Sequence, residues 1–174
     1  RMRGDDEQNF PSLPGYLLAV GGVPFVDSER HRLLGSLHGG WGNDLDRFSA
    51  PRVGGGPKPL GEEYGSTNRP ILPGAVIREF FPEHYAVFIG EYRWEPIFFT
   101  YLSLKASVAY LNRLRRFAGV LSRENDYLAS LGGGITTGFF FGTRFNLNYH
   151  YNTSVIREDD HGGHSIVMRL SKQF

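Results

Sequence analysis

The sequence contains no cysteine, so disulfide bridges, thiolate metal sites and a lipidated amino-terminal cysteine are all excluded. It also contains no run of about 18 apolar residues, which excludes a transmembrane helix. An excess of one charge is lacking as well: 19 basic residues face 18 acidic ones, which gives no reason to expect nucleic acid as a partner. A chain of 174 residues without covalent staples has to be stabilised in another way, and a closed β-barrel would do so because it leaves no open edge.

Glycine and aromatic residues, by contrast, are abundant: the chain has 23 glycines and 14% aromatic residues, which suits sheets with tight turns. Four segments of the carboxyl-terminal half alternate between apolar and polar residues, and this period of two predicts strands whose faces meet different environments. The segments are residues 98–109, 127–139, 142–152 and 164–174. In the first of them, Leu102 and Leu104 lie on one face, and Ser103 and Lys105 lie on the other.

The length and spacing of these strands predict a transmembrane barrel. Strands of about 10 to 12 residues with one apolar face match what a tilted strand needs to cross a bilayer. The connections alternate between a tight one at 139–141 and long, charged ones at 110–126 and 153–163, as in outer-membrane barrels. A further strand is predicted at 85–93, before a tight turn at 94–96, and weaker strands are predicted at 16–25, 32–41 and 75–81. The predicted fold class is therefore all-β, a closed antiparallel up-and-down transmembrane β-barrel of eight strands that forms one domain over residues 1–174.

The amino-terminal half departs from this regular pattern. Residues 1–14 are predicted as an extension, and residues 42–73 as a long irregular connection rich in glycine and proline. Strand parity places that connection at the rim of the short turns, where loops are normally short. Either one early strand is miscounted, or the segment is a plug or a partner-binding arm. Residues 110–121 allow a second interpretation, an amphipathic helix with apolar residues at helical spacing.

The predicted polar face collects charged residues that a barrel would enclose. They are Glu91, Lys105, Arg144, His150 and Arg169. Charges in a low-dielectric interior are retained because they pair. We therefore interpret this lumen cluster as a salt-bridged polar core that fills the interior, as expected at eight strands. An ion or proton path along the same residues is the functional alternative.

A second basic cluster lies in the predicted loop after the Leu102 strand. Its members are Arg113, Arg115 and Arg116. If the loop faces outside the cell, these side chains suit lipopolysaccharide phosphates; the alternative is a solvated loop with nearby acidic counter-charges. The histidine and aspartate residues at 159–164 lack the spacing of a metal site, and glycines 132–134 lack the lysine and helix of a phosphate loop. No metal and no cofactor are predicted.

Aromatic residues lie near the predicted strand ends. They are Trp41, Tyr92, Trp94, Tyr110 and Tyr127. Such positions are typical of the aromatic girdles at membrane interfaces, although aromatics scattered through a sheet are an alternative interpretation.

The last strand alternates apolar residues and closes on phenylalanine, and it resembles the carboxyl-terminal assembly signal of bacterial outer-membrane proteins. The residues that carry the resemblance are Ile166, Met168, Leu170 and Phe174. The resemblance implies location in the bacterial outer membrane, insertion by the barrel assembly machinery, and contact with outer-membrane lipid and lipopolysaccharide. An ordinary amphipathic strand that ends on phenylalanine by chance is the alternative.

From residue 85 onward, the layout also resembles that of the outer-membrane lipid A deacylases, which are eight-stranded barrels. That family carries His-x-Ser on its penultimate strand, with both side chains pointing outward to lipid. Here Asn152 follows His150 at the position of the nucleophile, and an amide cannot attack an ester. Ser154 lies two residues too late, and His150 shares a face with Asn148. The resemblance therefore implies the barrel layout without a matching nucleophile.

Together these observations predict a non-enzymatic outer-membrane β-barrel that acts as a structural anchor or an accessory subunit of an envelope complex. A protein partner is expected to bind through residues 42–73, because a glycine- and proline-rich stretch of this kind is too extended to pack alone. Two alternatives belong to other classes. One is a lipid A-modifying enzyme, and the other is a soluble up-and-down barrel that carries a ligand on an apolar inner face.

Overall fold

The computed structural model describes residues 13–22, 30–42, 50–55, 71–75, 80–117, 120–139, 142–157 and 160–172. Within these residues the chain forms seven β-strands. They are β1 (Leu13–Gly22), β2 (His31–Trp41), β3 (Pro82–Ile97), β4 (Thr100–Phe117), β5 (Val120–Phe139), β6 (Thr143–Arg157) and β7 (Asp160–Lys172). None of the described residues belongs to a helix long and apolar enough to cross a membrane.

The seven strands form one antiparallel sheet in which each strand pairs with its neighbours in the sequence. The prediction of an all-β, antiparallel up-and-down fold is thereby confirmed. The described sheet is not closed. We call the end that carries the β2–β3, β4–β5 and β6–β7 connections the upper rim, and the opposite end the lower rim. Both edge strands, β1 and β7, run from the upper rim to the lower rim, since β1 begins opposite Trp41 and β6 ends opposite the start of β7.

One early strand of the predicted eight is missing from the described residues. Of the segment predicted as a strand at 75–81, only Phe80 pairs, through an isolated antiparallel bridge with Val53, and residues 76–79 lie outside the described part. The connection from β2 to β3 therefore lies at the upper rim, together with the long hairpins. The prediction that it lies at the rim of short turns is wrong, because it rested on that miscounted strand.

Two segments predicted as long charged loops are strand hairpins instead, so this prediction is also wrong. They are residues 110–126 and 153–163. β4 and β5 stay paired as far as Phe117 and Val120. Their charged side chains pair across the strands, as Arg113 does with Asp126, so a high density of charge does not indicate a loop here. The same pairing excludes the helix considered for residues 110–121.

The lower-rim turn between β3 and β4 lies later than the predicted position at 94–96. β3 continues to Ile97, and the turn consists of Phe98 and Phe99. Phe99 has a φ of 63°, a left-handed conformation that costs a bulky L-residue about 1–2 kcal/mol. The tight turn predicted between β5 and β6 is confirmed, and there the left-handed position is Gly142, with a φ of 69°.

Alternation along the strands separates the sheet into two faces of opposite composition. On the outer face, twelve large apolar side chains of β2–β7 are 36% to 72% exposed. These residues are Leu33, Leu37, Phe88, Leu102, Leu104, Val108, Leu131, Leu147, Tyr149, Ile166, Met168 and Leu170. The inner face carries buried polar residues, which are His38, Glu91, Ser107, Ser130, His150 and Asn152. A sheet of a soluble protein has the reverse distribution, with apolar side chains enclosed and polar ones in water.

Near the upper rim, the inner face is apolar, and the β2–β3 connection covers it. Val53 and Leu72 of that connection are fully buried, and they pack in one cluster with Leu111 of β4. A hydrogen bond fixes the connection to β6, since the Asn152 side-chain amide donates to the Pro73 carbonyl over 3.2 Å. The described parts of the connection therefore cap the upper end of the inner face.

Candidate functional site

The centre of the inner face carries a continuous row of residues that links four strands. Glu91 of β3 lies opposite Lys105 of β4, Lys105 lies opposite Gly132 of β5, and Gly132 lies opposite His150 of β6. We call these residues the polar row. Their side chains point the same way because cross-strand partners in an antiparallel sheet share a face. Strand register alone thus brings an acid, an amine and an imidazole together inside the sheet.

Glu91 is the acidic centre of the polar row, and two cations surround it. Arg93 Nε donates to Glu91 Oε1 over 2.6 Å, and Lys105 Nζ lies 3.8 Å from the same oxygen. Lys105 Nζ also donates to Asn148 Oδ1 over 3.3 Å. The side chains of Glu91, Arg93 and Lys105 are only 9%, 17% and 12% exposed, so water screens these charges poorly. One carboxylate facing two cations leaves this group with one excess positive charge, and the ion pairs offset part of the cost of enclosing it.

His150 completes the row, and its imidazole lies directly over Gly132. A Cβ at Gly132 would overlap with His150 Nδ1 and with the carbonyl oxygen of Tyr149. The missing side chain is therefore what makes room for the ring, as in other strand glycines that permit a close approach. His150 is 7% exposed, and no described residue offers its Nδ1 a hydrogen-bond partner.

Replacing Gly132 with alanine should lower the free energy of unfolding by about 1–3 kcal/mol, because the added methyl collides with backbone as well as with the ring. Gly90→Ala on β3 is the matched control, since its nearest neighbour would be Phe88 at an ordinary 3.8 Å. Denaturant unfolding of the two variants in the same lipid or detergent measures both effects. Equal stability of the two variants would contradict this packing.

The other members of the predicted lumen cluster lie lower on the inner face. Arg169 of β7 is half-buried opposite Asn146, and Arg144 lies exposed near the lower end of β6. The structure therefore brings Glu91, Lys105 and His150 together and leaves Arg144 at the rim.

Sequence reasoning missed Arg93, although it is the closest partner of Glu91. The signal was present in the alternation, because residues two apart on a strand share a face.

The basic residues predicted to bind lipopolysaccharide all lie on β4 and not in a loop. Arg113 is ion-paired with Asp126, and its guanidinium lies over the Phe80 ring, 4.9 Å from the ring centroid. This arrangement places Arg113 against the inner side of the upper rim. The side chains of Arg115 and Arg116 lie outside the described part of the chain.

The residues that correspond in sequence to the deacylase site are buried in this fold and contribute to its packing. His150 and Asn152 are both buried on the inner face, whereas that family's histidine and serine point outward to lipid. Asn152 is fully buried, and its amide holds Pro73. The side chain of Ser154 is outside the described residues. The hydroxyl that the register places opposite His150 is that of Ser165 on β7, and the described structure shows no hydrogen bond between it and His150 Nδ1.

The residues that carry the assembly-signal resemblance form an exposed apolar row along β7. Ile166, Met168 and Leu170 are 72%, 71% and 70% exposed on the outer face. Phe174 lies outside the described residues. An apolar row this exposed is unusual for a face that meets water.

Aromatic and histidine rings pair on the outer face near both rims. Toward the upper rim, Trp41 stacks on His84 with centroids 3.9 Å apart. Toward the lower rim, His31 stacks on Trp94 at 6.1 Å and shares a 2.6 Å hydrogen bond with the Tyr92 hydroxyl. The stretch of β3 between His84 and Trp94 spans about 33 Å along the strand.

Within the described residues, no group of three or more histidine, aspartate or glutamate side chains is arranged to hold a metal ion. Within the described structure, the charged groups of the polar row interact through ion pairs and hydrogen bonds. No family model, curated protein or solved structure matches this chain.

Proposed function

We propose that this chain is a membrane-embedded β-barrel of the bacterial outer membrane, and that it acts as a non-enzymatic anchor or accessory subunit of an envelope complex. In this proposal the outer face contacts lipid and the inner face is enclosed. A further strand, not among the described ones, would complete the barrel, because closed barrels of this class leave no edge in hydrocarbon. The barrel assembly machinery would insert the chain through its last strand.

The inside-out distribution of residues is the observation that carries the proposal. Outer-face side chains such as Leu131 and Met168 are 58% and 71% exposed. On the inner face, by contrast, Glu91 and His150 are 8% and 7% exposed. Water would penalise the first set and hydrocarbon would penalise the second. A bilayer around the outer face removes both penalties. A soluble ligand carrier requires the opposite arrangement, with apolar side chains inside.

The spacing of the aromatic pairs supports the same reading. At a typical barrel tilt, rings at the two ends of β3 are separated by a height of about 25 Å, which equals the apolar band of outer-membrane barrels. Tryptophan and tyrosine prefer the two interfaces of a bilayer because their rings are apolar at one end and polar at the other. Trp41 and Trp94 mark these two levels.

We propose a non-enzymatic role because the described part of the inner face is filled with side chains and its charged groups are engaged with one another. In the described part of the sheet, the charged residues of the polar row form ion pairs, and Val53 and Leu72 fill the upper end. Val53 and Gly54 of the β2–β3 connection form bridges with Phe80 and Ile71. We propose that a protein partner binds through residues 42–73 of this connection, where Arg52 is exposed, and that lipopolysaccharide is met at the same rim.

Fluorescence of the two tryptophans tests the proposal, because they are the only ones in the chain. Variants that keep a single tryptophan, Trp41→Phe and Trp94→Phe, are folded into vesicles of ordinary or brominated phosphatidylcholine. We expect blue-shifted emission and strong quenching by the brominated lipid for both, since both rings are exposed on the outer face, at 69% and 39%.

The position of the bromine along the acyl chain adds a control within the same experiment. Bromine close to the headgroup should quench both residues more strongly than bromine at the end of the chain. If both tryptophans instead respond to acrylamide in water and ignore the lipid, and the chain stays in solution without detergent, the membrane proposal is wrong.

A further inference from the structure

The lower-rim turn between β3 and β4 exposes a compact apolar tip. Ile97, Phe98 and Phe99 are 70%, 77% and 57% exposed, and the two phenylalanine rings pack together with centroids 4.1 Å apart. Turns normally carry polar residues or glycine. The exposed area is continuous with the outer face, because Trp94 and Leu102, which lie opposite each other on β3 and β4, are also exposed there.

The backbone of this turn keeps an aromatic residue where a smaller one would fit more easily. Phe99 occupies the left-handed region, which glycine or asparagine enters at little cost. Two hydrogen bonds hold it there: its N–H donates to Glu95 Oε1 over 3.0 Å, and its carbonyl accepts from Gly138 N over 2.9 Å. Strain retained by surrounding structure is a reason to look for a function in the strained residue.

Basic residues occur at the same rim as this turn. The Gly138 hydrogen bond sets the turn beside the lower end of β5. Among the exposed basic residues at the same rim, Lys172 lies on the outer face at the end of β7 and Arg30 directly precedes β2, whereas Arg32 and Arg144 lie on the inner-face side. The described acidic residue closest to the tip is Glu95, and its carboxylate accepts a hydrogen bond from the Phe99 N–H.

We infer that the Phe98–Phe99 turn anchors the lower rim in the headgroup boundary of a phospholipid leaflet, and that the basic residues around it contact the anionic headgroup phosphates. This inference rests on the proposed membrane location. It adds that the lower rim of the sheet meets phospholipid, and it names the residues that make the contact. Apolar insertion and electrostatic attraction to anionic lipid reinforce each other at membrane surfaces. Continuity with the outer face, and the excess of basic over acidic side chains among the described residues of this rim, favour a lipid surface over a protein partner.

A tryptophan placed in the turn reports its surroundings directly. Phe98→Trp is made in a chain whose own tryptophans are replaced by phenylalanine, and the protein is folded into phosphatidylcholine vesicles with or without phosphatidylglycerol. Since Phe98 is 77% exposed, the larger ring should not disturb folding. We expect severalfold stronger quenching by headgroup-proximal brominated lipid than by acrylamide. Arg52→Trp in the same background is the control, and we expect acrylamide to quench it.

The basic residues are tested by the dependence on anionic lipid. Phosphatidylglycerol should raise the thermal midpoint of the parent protein, and the double variant Arg30→Gln, Lys172→Gln should lose most of that rise. A response of the double variant equal to that of the parent would overturn the electrostatic part of the inference.

The inference and the membrane proposal fail in different ways. If the tryptophan at position 98 is quenched by acrylamide while single Trp94 is quenched by lipid, the turn projects into water and the inference is wrong, although the membrane proposal survives. If both are quenched by acrylamide, both are wrong.

Discussion

Replacing Leu131 with arginine should lower the free energy of unfolding in a bilayer by about 2–4 kcal/mol, the cost of a guanidinium on the lipid face near the membrane midplane. Leu131 is 58% exposed on the outer face and lies midway along β5 between Tyr127 and Ile135. In water the same change at so exposed a position would alter stability by about 0.5 kcal/mol or less. Reversible urea unfolding in vesicles provides the measurement.

Leu102→Arg is the matched control for this prediction, because it makes the same substitution on the same face at a different depth. Leu102 lies opposite Trp94 near the lower rim, where the cost of arginine should fall to about 0–1 kcal/mol. The difference between the two variants measures depth and cancels any general effect of a new charge. Two costs that are equal and small would mean that the outer face meets water.

Replacing Glu91 with glutamine should destabilise the fold by about 3–5 kcal/mol, since it leaves two buried cations without their shared carboxylate. Arg93 and Lys105 both contact Glu91 Oε1, and all three side chains are largely enclosed. Glutamine keeps the shape of the side chain, so the loss reports charge and not a cavity. The same unfolding measurement applies.

The double variant Glu91→Gln, Lys105→Met separates charge pairing from other effects. Removing the lysine as well takes away one of the uncompensated charges, so the double variant should recover part of the stability that Glu91→Gln loses. Glu95→Gln is a control at the exposed lower-rim turn, where a carboxylate accepts a single backbone hydrogen bond. A Glu91→Gln variant as stable as the parent would mean that the polar row contributes no net pairing energy.

For strands that lie between two hairpin partners, such as β4, the alternation of residues predicted correctly which side chains lie on the outer face and which on the inner face. Leu102 and Leu104 are exposed on one side of β4, and Ser103 and Lys105 lie on the other, as period two requires. The sequence predicts a shorter β4 and β5 than the structure shows, because the upper ends of both strands carry charged residues, which are more typical of loops. Arg113 and Asp126 instead neutralise each other across the hairpin, a pairing that depends on register.

The segment before β3 was misassigned for a different physical reason. Its described apolar residues, Ala75 and Phe80, do not form a strand of the sheet; they pack in one cluster with Val53 and cover the upper end of the inner face. Local pattern cannot separate an apolar residue that faces lipid from one that fills a cap, because both are simply apolar. Because this segment is not a strand of the sheet, the β2–β3 connection lies at the upper rim, whereas the sequence predicts the lower rim.

The amino-acid sequence by itself determined the all-β class and the face on which each side chain of the carboxyl-terminal strands lies, because both follow from a two-residue period that is local to each strand. Only the tertiary structure decided which of those side chains meet. Lys105 reaches Asn148 across an intervening strand, and His150 settles over Gly132, because strand register places them together and the glycines of β5 leave them room. Contacts between strands distant in the sequence depend on register and on the space left by neighbours, and neither is written in the period of any single strand.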